Sequence, residues 1–386
     1  MKPRQVLIVG AGLGGLTAAL TLQRFGFKVS VYEQAAAIGE IGAGVVIGPN
    51  GQRALDFLGI GQYVRDNAGA ANCTYINHYA TGETLRALSL EATFEKYGMA
   101  NLFSYRADLH AALYQGVLAK DPDCVHAAHK LADLTQDEAG VTARFANGVV
   151  VCGDALIGAD GNASTVRASV FAPEEPKFTG QVAFRAVVPA ERWSPDMKER
   201  PCASYIGPRR VFLHYPMRRN TLMNVIGVGR AERWEAEGWA IPAQISEFVE
   251  HYADFHPTVL NLIQSIPPDC LFKWGLRDRE PLKDWTRGRV TVLGDAAHPV
   301  LPFLGQGANM AIEDGLVLGR CFEKYADIQE VFSRYEAARK ERGTNVQLWS
   351  REEADAMQGN TPKGSHPGRT AEDRGLFDYD PVNVPI

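Results

Sequence analysis

The sequence predicts an α/β chain of two units: an α/β unit with a parallel sheet and a second unit built on an antiparallel sheet, followed by C-terminal helices. Three observations carry this. Residues 5–33 read as strand, glycine-rich turn, helix and strand within about 30 residues, the size of one βαβ crossover. Residues 180–228 switch to period-two alternation with no long helix, the pattern of an antiparallel sheet. A buried-strand pattern then returns at 290–293 and runs into a long helical pattern at 306–322.

The elements follow in order. Residues 5–9 are an apolar, β-branched run. Residues 16–25 carry Leu16, Leu20 and Phe25 near helical spacing, and Gly26 stops that helix. Residues 28–32 form the second strand, closed by Glu33. Residues 107–118 predict a helix with Leu109, Leu113 and Leu118 as its apolar stripe. The pair 141–145 and 148–152 reads as a hairpin around Asn147-Gly148. Residues 155–157 form a short buried strand that runs into Gly158-Ala159-Asp160-Gly161. Strands at 182–188, 211–215 and 222–228 build the second sheet. Residues 232–262 read as mostly helical, and 332–342 as a further helix. The stretch 359–386, rich in Pro, Gly and Asp, predicts an irregular wrap or partly disordered tail.

Composition excludes several function classes. A formal net charge of −5 on 386 residues argues against a nucleic-acid binder. No window of about 20 residues is continuously apolar. Met1-Lys2-Pro3-Arg4 before an apolar run imitates a signal peptide, but Gly10, Gly12, Gly14 and Gly15 interrupt that run, so the segment reads as mature structure of a cytoplasmic protein. Cys73, Cys124, Cys152, Cys202, Cys270 and Cys321 are scattered, which excludes a CxxC redox pair and a compact zinc site and predicts buried free thiols. His126 and His129 are expected at the surface; nothing completes a metal site around them, and no metal is expected.

Gly10-Ala11-Gly12-Leu13-Gly14-Gly15 fits G-x-G-x-x-G between a strand and a helix. Gly10 permits the tight turn, Gly12 lets backbone amides approach a pyrophosphate, and Gly15 lets helix and strand pack closely. The helix N-terminus favours phosphate charge. Glu33, with Gln34 beside it, sits eighteen residues beyond Gly15, where an acid accepts hydrogen bonds from a ribose diol. This Rossmann-like motif does not separate FAD from NAD. Two further strand ends carry an acid beside glycine: Asp160-Gly161, and Gly294-Asp295 about 130 residues later. Three such ends on one cleft imply a long, extended dinucleotide.

These three motifs, in this order, resemble the class A flavoprotein aromatic hydroxylases, the p-hydroxybenzoate hydroxylase family, over about residues 4–345. Gly39-Glu40-Ile41-Gly42-Ala43-Gly44, Gly48-Pro49-Asn50, Tyr205-Ile206-Gly207-Pro208 and His214-Tyr215-Pro216 resemble the salicylate, 3-hydroxybenzoate and 6-hydroxynicotinate hydroxylases most closely. The resemblance implies a discontinuous FAD-binding domain (1–72, 99–178, 280–345), a substrate domain (73–98, 179–279) and a C-terminal tail (346–386). It implies non-covalent FAD held by Gly10, Gly12, Leu13, Gly14 and Gly15, with Glu33 on the adenosine ribose, Arg106 on the pyrophosphate or ribityl region, Leu131 offering backbone to the adenine and Asp295 on the ribityl chain. Asp160 inherits a link to both FAD and NAD(P)H, with a helix N-cap as its plain alternative; Arg106 has a surface ion pair as its alternative. The glycine-rich loop after Pro299 leads to a helix whose first amides, at Gly307, Ala308 and Asn309, favour the negative charge of reduced flavin.

The implied reaction is a monooxygenation: NADH or NADPH reduces the flavin, O2 adds as a C4a-hydroperoxide, and a small aromatic acid is hydroxylated. His214 is the candidate base for the substrate hydroxyl, because alternation puts it on one face with Phe212 and that face is expected over the flavin; a buried structural histidine is the alternative. Tyr215 is the other polar contact, and Pro302 is expected to line the pocket. His298 is expected to brace the flavin loop. Arg185, Arg209, Arg210 and Arg218 are candidates for the substrate carboxylate. Family 6-hydroxynicotinate enzymes carry a histidine in the continuation of Gly42-Ala43-Gly44 and another in the flavin loop; Val46 and Phe303 stand in those regions here, which favours a salicylate- or hydroxybenzoate-type acid over hydroxynicotinate. A pyridine or quinoline hydroxylase, and a flavin-binding NAD(P)H oxidase or regulator, are the alternatives. Nucleic acid and membrane are not expected partners, and a homodimer is left open.

Overall fold

The computed structural model describes residues 5–39, 42–171, 174–231, 234, 241–357, 359 and 368–386. A six-stranded sheet runs in the order Thr286–Arg287, Val290–Val292, Ala155–Gly158, Gln5–Val9, Lys28–Tyr32, Val125–His126. Its inner pairs are parallel, with Val9 opposite both Gly158 and Tyr32, and Gly158 opposite Val292. Parallel strands are covered on both faces and so read as continuous apolar runs; Val6 to Val9 and Ala155 to Ile157 are buried throughout.

Leu13–Arg24 is a helix buried along most of its length, as an apolar-all-round pattern requires. It packs against Arg106–Leu118 and Gly307–Lys324. Thr17 and Thr21 face the latter helix, and their hydroxyls are satisfied by donating to the carbonyls of Leu13 (2.6 Å) and Thr17 (2.7 Å) one turn back. The hairpin expected at Asn147-Gly148 joins Val141–Phe145 to Val150–Gly153 and gains a third strand, Leu131–Gln136.

The second sheet has eight strands, ordered Ile241–Pro242, Leu271–Asp278, Lys177–Pro189, Leu222–Arg230, Arg210–Met217, Ala203–Gly207, Cys73–His78, Thr84–Ser89. It is antiparallel except where Ala203–Gly207 meets Cys73–His78 in parallel. Two short helices, Ile245–His251 and Pro257–Gln264, replace the more continuous helix expected over 232–262; residues 232–233 and 235–240 lie outside the described residues.

Two expectations change. The helix expected at 332–342 is Ile328–Met357, running past residue 345, where the tail was expected to begin. Gly343 does not stop it: a Cβ there would meet the Trp285 ring at 2.6 Å and His298 at 2.9 Å, so the glycine serves close packing inside the helix rather than a cap. The described tail, 368–386, is a packed wrap, with Ala371, Leu376 and Phe377 buried. Of the six thiols expected to be buried, only Cys124, Cys202 and Cys321 are; Cys152 is exposed. Among the described residues, no helix is long and apolar enough to cross a membrane.

One buried cluster ties the strand Val290–Val292 to the two C-terminal helices. Asp314 accepts from the Gly294 amide (2.9 Å), His298 Nε2 (2.6 Å) and Arg339 Nε (2.7 Å). Burial alone would raise this carboxyl; the neighbouring His298 and Arg339 and the Gly294 amide outweigh it and hold Asp314 well below the usual carboxylate range. Its folded pKa is depressed, so its contribution to stability is full above the unfolded value and is lost as pH falls through the acid range. Asp314→Asn is expected to cost about 3–5 kcal/mol by leaving Arg339 underpaired, and to flatten the loss of urea midpoint between about pH 5 and pH 3. A variant as stable as the parent, with the same acid limb, would contradict this account.

Candidate active site

Strand ends bring the three motifs together. The Gly10 amide donates to Tyr32 (2.8 Å), the Ala159 amide to Val9 (2.7 Å) and the Leu293 amide to Gly158 (2.9 Å). Residues 10–15, 33, 159–161 and 293–295 therefore leave one sheet edge side by side, where open α/β sheets bind ligands. The glycines differ in what they permit. Gly10 has φ +106°, and a Cβ there would run into the Ala159 carbonyl. A Cβ on Gly15 would run into the Gly10 carbonyl. A Cβ on Gly12 would meet nothing within 4 Å, so that glycine faces open space at the helix N-cap. The first-turn amides there have no intrahelical acceptor.

Glu33 holds this loop from below: one oxygen accepts from the Ala11 amide (2.9 Å) and the other from the Ala35 amide (2.9 Å). His110, from the helix Arg106–Leu118, donates through Nε2 to the Ala11 carbonyl (2.7 Å) and is buried. Sequence reasoning missed His110, because a histidine beside an apolar stripe carries no sign of a partner 99 residues away. Gln34 is exposed. Leu131 buries its side chain in the core and offers only backbone. His126 and His129 pack on Tyr32, at ring distances of 4.9 and 5.5 Å.

Asp160 supports a helix start whose N-cap is Ser164. Its oxygens accept from Ser164 Oγ (2.5 Å) and from the Val166 amide (3.0 Å), at the start of the helix Thr165–Val170. Burial pushes its carboxyl up, and these hydrogen bonds work against the rise. Asp295 follows Gly294, whose φ of +58° turns the chain. Burial raises Asp295 too, opposed by the charges of His298 and Arg106. Asp295 and Arg106, 189 positions apart in sequence, are thus brought into one electrostatic neighbourhood.

The loop after Pro299 is braced by Asn309. Its Oδ1 accepts from the Gly48 amide (2.9 Å), and its Nδ2 donates to the carbonyls of Val46 (2.9 Å) and Gly305 (3.0 Å). The side chain is spent on the scaffold; what remains at Gly307, Ala308 and Asn309 is helix-terminal backbone. Pro302 is exposed and Phe303 half-buried beside Leu301.

The large sheet has two faces, and here the structure corrects the expectation for His214. Phe212 and His214 do share a face, but it is the face covered by Ile245–His251 and Pro257–Gln264, where Phe212 meets Phe248 and Tyr252. His214 is 2% exposed; its Nε2 donates to the Arg200 carbonyl (3.2 Å), and Nδ1 has no partner. The other face carries Leu213, Ile226, Val228 and Ala183 against Leu301 and Phe303, with Arg185 and Tyr215 on the same face and Tyr215 packed with Phe103. Tyr215 and Asn224 flank Gly44, each 2.5 Å from where its Cβ would stand, and Asn224 Oδ1 accepts from the Gly44 amide (2.8 Å). Arg185 lies over the Trp274 ring at 5.2 Å. The other arginines are placed elsewhere: Arg210 pairs with Asp254 (2.8 Å), Arg218 with Asp108 (2.5 Å), and Arg209 is exposed in the turn before Arg210–Met217.

Burial drops the His214 pKa to about 4, opposed only by the Arg200 carbonyl. The native chain therefore binds fewer protons than the unfolded chain between about 4 and about 6.5, so stability is full above that window and falls as pH drops through it, by up to ~1.4 kcal/mol per unit. His214→Leu is expected to flatten that slope in urea titrations and to leave the pH profile of turnover unchanged. A turnover profile that loses its ionisation in this variant would restore His214 as the base.

A family model described as FAD binding domain matches residues 4–350. The 6-hydroxynicotinate 3-monooxygenase of Pseudomonas fluorescens is 35% identical over 397 residues, spanning 100% of this chain and 97% of that protein. The 3-hydroxybenzoate 6-hydroxylase of Polaromonas naphthalenivorans is 35% identical over 358 residues, 90% of this chain and 86% of that one. Among solved structures, HpxO of Klebsiella pneumoniae complexed with FAD and uric acid superposes with a TM-score of 0.87 at 26% identity, covering 99% of this chain and 97% of that one. A salicylate hydroxylase substrate complex shares the fold, with a TM-score of 0.83 at 23% identity over 100% of this chain and 99% of that one. The chain belongs to the FAD binding domain family and is a flavoprotein aromatic-ring monooxygenase.

Proposed function

We propose that the chain uses NAD(P)H and O2 to hydroxylate a small hydroxylated aromatic acid of the salicylate or hydroxybenzoate type. The observation that carries this is the loop-facing side of the large sheet, where the apolar Leu213 and Ile226 share a face with the cation Arg185 and the phenol Tyr215, and Phe303 of the loop packs opposite. A flat apolar ring bearing a carboxylate and a hydroxyl matches that surface. In place of the two histidines expected of hydroxynicotinate enzymes, Val46 and Phe303 contribute only apolar surface.

FAD fits the opposite wall. The open space at Gly12, the amides of Leu13 and Gly14 and the Arg106 charge suit the pyrophosphate; Glu33 suits the adenosine ribose, Leu131 backbone the adenine, and Asp295 the ribityl chain. The amides of Gly307 to Asn309 suit the ring. Bound there, FAD carries the electrons from NAD(P)H and activates O2. The chain's own residues orient the acid and keep water out. Arg185 takes the carboxylate as a charged pair. Burial pushes the Tyr215 phenol far up, against the pull of Arg185, so Tyr215 stays protonated and donates a hydrogen bond rather than serving as a base. Pro302 borders the pocket. In this division of labour 1–72, 99–178 and 280–345 hold the cofactor, and 73–98 with 179–279 hold the acid. A heteroaromatic acid is the second reading, favoured by the uric acid in the HpxO complex.

The test is NADH oxidation and oxygen uptake by the FAD-loaded protein with hydroxybenzoates and pyridine carboxylates, followed by mass spectrometry of product. A hydroxylated benzenoid acid is expected; peroxide alone with every compound would defeat the proposal. Arg185→Met is expected to raise KM for the acid about 10- to 100-fold and to leave a phenol lacking the carboxylate unaffected. Gly12→Ala is expected to fold normally yet lose most of its FAD affinity, whereas Gly15→Ala is expected to lose folded protein; thermal melts of apoprotein and FAD titration separate the two.

A further inference from the structure

The tail packs directly on the loop that borders the cofactor site. Ala371, Leu376 and Phe377 share a buried cluster with Val300 and Leu304 of that loop, Met310 of the following helix and Val346 of the long helix. Three arginines hold the tail by its carbonyls: Arg53 at Phe377 (2.6 Å) and Tyr379 (2.9 Å), Arg342 at Leu376 (3.1 Å) and Arg320 at Pro381 (2.9 Å).

Tyr379 does something further. Its ring lies 4.9 Å from the Arg339 guanidinium and 4.1 Å from that of Arg342. Both arginines share Glu313, at 2.7 and 2.8 Å, and Arg339 also holds Asp314. Arg339 is fully buried and Arg342 mostly so; like charges this close repel, and the negative face of an aromatic ring relieves that repulsion. From there the contacts run two ways. Asp314 fixes the Gly294 amide, one residue before Asp295. Glu313 accepts from Asn50 (2.6 Å), whose amide also donates to Gln306 (2.9 Å) at the cap of the loop-following helix.

We propose that Tyr379 is a positioning residue for the flavin: its ring face steadies the Arg339–Arg342 pair, and through Asp314 and Glu313 it sets the places of Asp295 and of the loop 299–307. This role of Tyr379 concerns FAD binding and is independent of which aromatic acid is hydroxylated, since an FAD titration needs no substrate.

The experiment compares Tyr379→Phe, which keeps the ring face, with Tyr379→Leu, which keeps apolar bulk without it. FAD affinity is read by titrating apoprotein, and coupling by hydroxylated product per NADH consumed; apoprotein melts report the structural effect separately. Tyr379→Phe is expected to match the parent. Tyr379→Leu is expected to raise the Kd for FAD about tenfold and to release more peroxide. Arg342→Lys keeps charge on Glu313 but loses the flat face against the ring, and is expected to shift Kd the same way, so it decides the matter where Tyr379→Leu fails to fold. Equal Kd values for the Phe and Leu variants, or an unchanged Kd in Arg342→Lys, overturn the proposal.

Discussion

The arrangement depends most on one buried carboxylate. Asp314 is fully buried and engages a backbone amide, a histidine and an arginine that come from a strand end, a loop and a separate helix. A charge so placed is costly unless every lone pair is met. That cost makes the cluster discriminating: the helix Gly307–Lys324 has one depth and rotation at which Gly294, His298 and Arg339 all reach the same side chain. The loop 299–306 lies in the short gap between Gly294 and that helix, so its course follows from the two ends. Asn309, one turn into the helix, then ties Gly48, Val46 and Gly305 to it.

The large sheet buries two different clusters on its two faces. On one side Phe184, Phe212 and Phe248 pack with Tyr252, two of the rings stacked at 4.7 Å. On the other, Leu213 meets Leu301 and Phe303, Arg185 lies over Trp274 and Tyr215 packs with Phe103. Successive residues along each strand serve different masters, and the histidine between Leu213 and Tyr215 belongs to the core. The turn beyond Tyr215 joins the two units: Arg218, Arg219 and Asn220 all have positive φ, a costly run for non-glycine residues. Contacts to Asp108, Asp66 and Ala70 hold it in place.

Much of the cradle was legible because it makes demands on the backbone. A glycine at Gly10 or Gly15 is required by sterics that any reader of strand–turn–helix can anticipate, and Glu33 stands at a fixed distance from them. Asp160 was legible only as a pair of options, since an acid after a strand serves a ligand or the next helix equally well. His214 was misplaced for a definite reason: period-two alternation says which residues share a face, but which face is covered is decided by helices at 245–264 that the local pattern does not contain. His110, Asp314 and Tyr379 were invisible for a related reason. Each sits in an unremarkable helical or irregular stretch, and its meaning comes entirely from partners far along the chain.

The two-faced sheet has an evolutionary consequence. Because Phe212, Phe248 and Tyr252 supply cohesion from behind, substitutions at the partly exposed Arg185 and Leu213 would, under the proposed function, change what the surface offers to a ring while leaving that cluster in place. Selection for a new aromatic compound can therefore act on one surface of a few strands while heritable foldability rests on the other. Relatives named for hydroxynicotinate and hydroxybenzoate, each about a third identical to this chain, are the divergence such a division of surfaces allows.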